Sequence, residues 1–105
     1  MPASTNIREA ALLSVQRALV GEIDPSMRFI AIEIVEGAIH LIVWHHGLLS
    51  EEVVDDFDAA VVTQVLADGV ADLTLENPVK FEFLRSDGPA KPVFRGTLVF
   101  GRKET

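Results

Sequence analysis

The sequence predicts an α+β fold, a two-layer α-β-β-α-β-β domain with an antiparallel sheet and two helices packed on one face. Three observations carry that expectation. Two segments space their apolar residues three and four apart, as helices do, and each is followed by two segments whose side chains sort onto alternate faces, as strands do. The breaks between them fall at Gly21, Asp24-Pro25, Gly37, Gly47, Gly69 and Gly88-Pro89. The length, 105 residues, suits a single domain over residues 1–105.

The first helix is expected to start at Thr5 or Asn6, where Glu9 would complete a capping box. Ile7, Ala11, Leu12, Val15, Ala18 and Leu19 share one face of it, and Gly21 is its stop. Residues 27–46 read as a hairpin turning at Glu36-Gly37. That loop sets Val35 against Ala38, Glu33 against His40, Ala31 against Ile42 and Phe29 against Trp44. One hairpin face is then wholly aliphatic, with Ile30, Ile32, Ile34, Ile39, Leu41 and Val43, and has Arg28 and His45 at its rim. Glu36 is a poor residue for such a turn, which needs positive φ.

Ser50 can cap a second helix running to about Ala67, with Val54, Phe57, Val61 and Val65 as its buried stripe. Val70 to Pro78 fits a short extra turn or an extended link. A second hairpin is expected beyond it. Its first strand alternates Val79, Phe81 and Phe83 with Lys80, Glu82 and Leu84, Ser86-Asp87-Gly88-Pro89 is its loop, and its last strand runs from about Val93 to Phe100. Gly101 to Thr105 reads as a frayed polar tail.

Composition excludes several function classes. Apolar residues form 49 % of the chain, too many for a disordered one. Cysteine is absent, which rules out disulfides and thiolate metal sites. The stretch Ala10–Val20 is too polar and too short to span a bilayer, and the apolar region Phe29–Trp44 is interrupted by Glu33, Glu36, Gly37 and His40. A cytoplasmic, bacterial-sized protein with no membrane contact is expected. The net charge is −7 and unevenly spread. No lysine or arginine lies between Arg28 and Lys80, an interval holding ten acids, whereas six basic residues against three acids lie from Lys80 onward. Such a field repels nucleic acid and draws cationic partners to the acidic side.

Catalytic and metal chemistry find little support. His45 and His46 are adjacent on a strand end and point to opposite faces, and His40 and His46 are too far apart to share an ion. Glu33 and His40 could form an acid–base pair, but more often such a pair is a solvated contact. No nucleophile elbow, phosphate loop or dinucleotide fingerprint occurs. The expectation is a non-enzymatic protein with no catalytic residue, no metal and no cofactor. Two candidate binding features remain. Glu51, Glu52, Asp55, Asp56 and Asp58 crowd the first two turns of the second helix, where its dipole favours negative charge. Phe29 and Trp44 lie on the mixed hairpin face, either as partner-binding anchors or as core.

The small size, the lack of cysteine, the acidic helix Ser50–Ala67 and the α-β-β-α-β-β order resemble the immunity proteins of bacterial polymorphic toxin and contact-dependent growth inhibition systems. The resemblance implies a cytoplasmic protein that neutralises a basic toxin, frequently a nuclease, through its carboxylates. The acids at 51, 52, 55, 56 and 58 would then meet toxin lysines and arginines. A second resemblance is to small acidic dimeric secretion chaperones, which would use the Phe29–Trp44 face to dimerise or hold a client. This chain is short for that group and lacks its extra strand and final helix. A small regulatory or ligand-binding dimer stays open as a third reading.

Overall fold

The computed structural model describes the backbone of residues 3–102 and the side chains of residues 9–102. Its elements are α1 (Ala3–Leu19), β1 (Met27–Val35), β2 (Ala38–His45), α2 (Glu51–Ala67), β3 (Val79–Arg85) and β4 (Thr97–Gly101). The α-β-β-α-β-β order and the two-layer α+β class are as the sequence predicts. The first helix begins at Ala3, ahead of Thr5 and Asn6. The side chains of Thr5, Asn6 and Ile7, and the tail residues Lys103 to Thr105, lie outside the described residues.

β1 and β2 form the expected hairpin in the expected register, with Phe29 against Trp44, Ala31 against Ile42, Glu33 against His40 and Val35 against Ala38. Glu36 and Gly37 both take positive φ, 51° and 83°, so the two-residue turn is of the primed kind that matches strand twist. The aliphatic hairpin face is the core side. Ile30, Ile32, Ile39, Leu41 and Val43 pack there against Ala11, Val15, Ala18 and Leu19 of α1 and Phe57, Val61 and Val65 of α2. Both helices therefore cover one sheet face. Phe57 lies edge-on to Phe81 and Phe83 at 6.1 Å from each, which seats α2 over β3.

The second hairpin does not form. The sheet order is β3-β2-β1-β4, with β3 parallel to β2 and β4 antiparallel to β1. The sheet is thus mixed, not wholly antiparallel. The reason lies in α2: parallel neighbours need a crossover, and a helix between β2 and β3 supplies one, making a β-α-β unit. β3 is left at one edge of the sheet and β4 at the other. β4 is also shorter than expected, and Val93 to Gly96 belong to the connection instead.

That connection, residues 86–96, must cross both central strands, and it does so over the face opposite the helices. The ring of Phe94 meets Phe29 at 4.7 Å and Trp44 at 5.3 Å, each edge to face. Arg95 reaches Glu33 on β1 at 3.2 Å and Glu82 on β3 at 2.7 Å. Gly96 turns the chain into β4 at φ 76°, where a Cβ would stand 2.6 Å from the Ile32 carbonyl oxygen. Only glycine fits both the conformation and the gap.

Candidate partner-binding surface

α2 starts at Ser50, whose hydroxyl accepts the Val53 N–H at 3.2 Å and whose backbone is extended, as an N-cap requires. The helix turns Phe57, Val61 and Val65 into the core. The 3.6-residue period then sends Glu51, Glu52, Asp55 and Asp56 outward, and all four are exposed. Asp58 is half-buried on the flank of this group. Burial and the neighbouring Asp55 raise its carboxyl above the ordinary aspartate range. Ion pairs of the described residues join Arg17 to Asp68, Arg85 to Asp87, and Arg95 to Glu33 and Glu82. The acids of α2 take part in none of them. Leu48, 85 % exposed, sits in the linker just ahead of the cluster. The structure thus places Glu51, Glu52, Asp55 and Asp56 on one surface with an apolar side chain at its border in sequence.

Phe29 and Trp44 do not form an open face. They are 5 % and 4 % exposed, enclosed with Ala31 and Ile42 beneath Phe94 and beside Leu84. Of the two readings of these aromatics, the fold gives core. Phe94, which the sequence places on the last expected strand, is the residue that closes over them.

Glu33 stands opposite His40 in the ladder, yet its carboxylate takes Arg95. The same guanidinium holds the Glu82 carboxyl below its ordinary range. His45 is buried, with Nδ1 lacking a hydrogen-bond partner among the described residues. His46 is exposed and lies 3.1 Å from the Arg102 guanidinium. Among the described residues no three histidines or carboxylates gather as a metal site would need. No helix is long and apolar enough to cross a membrane. Two clefts, of about 170 Å³ by Leu12 and Gly96 and about 160 Å³ by His40 and Lys80, fall short of the roughly 300 Å³ at which small-molecule sites begin.

The site is thus the outer face of a capped helix on a closed two-layer domain, with exposed carboxylates that take part in none of the ion pairs of the described residues. A family model described as MafI2 immunity protein matches residues 8–104, and the chain belongs to that family. No curated protein matches it. Membership means that the protein neutralises a toxin by binding it, so its partner is a protein.

Proposed function

We propose that this immunity protein neutralises a cationic toxin domain in the cytoplasm by laying the outer face of α2 against it. Glu51, Glu52, Asp55, Asp56 and Asp58 carry the contact, and no step of catalysis is involved. The observation behind this reading is the group of four exposed carboxylates on two helical turns that no cation of the described chain neutralises. Holding them together is unfavourable for the free protein, and a cationic partner relieves that repulsion. A nuclease is the natural partner in charge, because an enzyme that grips phosphates presents lysine and arginine to them. Complementary charge of this kind accelerates encounter and selects the partner.

The test is co-purification with the product of the adjacent gene, with association rates measured at low and moderate salt. Reversing Glu52, Asp55 and Asp56 to lysine is expected to slow association by about tenfold or more and to flatten its salt dependence. A complex whose rate ignores all three reversals rules out this face.

A further inference from the structure

We propose that the segment 91–96 is a strap that lifts from the outer sheet face while the helical layer and the Arg28-anchored residues 86–90 stay in place. The domain has two apolar cores that share no residue. Among the described residues the helix-side core holds thirteen buried side chains and the strap-side core four, Phe29, Ala31, Ile42 and Trp44. Phe94, itself 37 % exposed, roofs Phe29 and Trp44, with the Arg28 guanidinium 5.4 Å over the Phe29 ring. Its neighbour Val93 points away from the protein at 95 % exposure.

The chain leading into the strap, residues 86–90, is anchored to the sheet, in part by the buried Arg28. The Ser86 N–H donates to the His45 carbonyl, and the Arg28 guanidinium donates to the Ser86 and Ala90 carbonyls. Asp87 accepts the Gly47 N–H at 2.6 Å. At the far end Arg95 grips Glu33 and Glu82, but both pairs are solvent-exposed and such pairs hold weakly. Beyond Ala90, the contacts among the described residues that hold the strap to the sheet are those of the Phe94 ring and the Arg95 pairs. Few buried contacts and exposed polar ties are the marks of a unit that opens below the global unfolding free energy. Lifting uncovers Phe29, Ile42, Trp44 and Leu84 and leaves every residue of the helix-side core in place.

Trp44 is the only tryptophan, so its fluorescence reads the strap while far-ultraviolet circular dichroism reads the two helices. In a urea titration, quenching of Trp44 by acrylamide is expected to rise before the helical signal falls. Phe94→Ala should raise quenching severalfold without denaturant and leave the helical signal intact. Arg95→Ala, which keeps the aromatic contacts, should move the Trp44 transition alone to lower urea. Coincident transitions in the unmodified protein, or loss of helix together with tryptophan burial in either variant, would overturn the proposal.

Discussion

Glu36 occupies a left-handed backbone position at φ 51°, which a residue with a Cβ adopts at a cost of about 1–2 kcal/mol. Its side chain is exposed at the hairpin tip, so nothing in the packing requires glutamate there. Glu36→Asn makes the Asn-Gly pair that favours a primed turn, and it should stabilise the protein by about 0.5–1 kcal/mol in urea unfolding. A destabilised variant would mean that the glutamate side chain has work elsewhere. The sequence already showed this misfit, because the alternation on both sides of Glu36-Gly37 allowed only a two-residue loop if Glu33 and His40 were to stay out of the core. Phe94 is the opposite case. Its alternation with Leu98 and Phe100 looked like a strand, and only the crossing of the chain over the sheet reveals it as the lid of the Phe29–Trp44 core.

At the scale of elements, the clearest local signals gave the right answers. Ser50 caps α2 as its position before Glu51-Glu52 suggested, and α2 ends at Ala67. Ser50→Ala should cost about 1 kcal/mol of stability in urea unfolding. Because the cap lies one turn from Glu51–Asp56, the same change should also loosen the first turn, visible as faster amide exchange at Val53. What could not be read was the partner of each strand. Val79 to Leu84 announces a half-buried strand whichever neighbour it takes, and proximity to Thr97–Gly101 in sequence favoured a hairpin. The competing signal was a strand, a 17-residue helix and a strand in succession, which spells a parallel crossover equally well. The acidic surface was legible because helical period and charge depend only on local sequence. The burial of Phe29 and Trp44 was not, because it depends on a segment some 50 residues away.

For the molecule as a whole, charge sets the response to acid. Four carboxyls sit below their ordinary range through contacts seen in the structure: Asp24 through the Ser26 hydroxyl, Asp72 through Thr74, Glu82 through Arg95, and Asp87 through the Gly47 N–H. A group depressed in the folded state adds stability above its unfolded pKa and loses it as pH falls through the folded value. Asp58 has the opposite sign: burial and Asp55 disfavour its charge, which raises its pKa, and acid relieves that cost. The melting temperature should therefore hold or rise slightly from pH 7 towards pH 5 and fall below about pH 4. A midpoint that stays level to about pH 2 would contradict the carboxyl contacts described.

The pairing of β1 with β4 also has a cost in time. Ile32 on β1 pairs with Thr97 on β4, 65 residues further along the chain. At a synthesis rate of roughly 5–20 residues per second, β1 emerges several seconds before its outer neighbour exists. For that interval the nascent hairpin shows Phe29, Ile42 and Trp44 bare to the cell, and the ribosome-bound chain is at its most prone to aggregate. A protein whose value lies in being ready when a toxin arrives thus has a built-in delay between translation and protection.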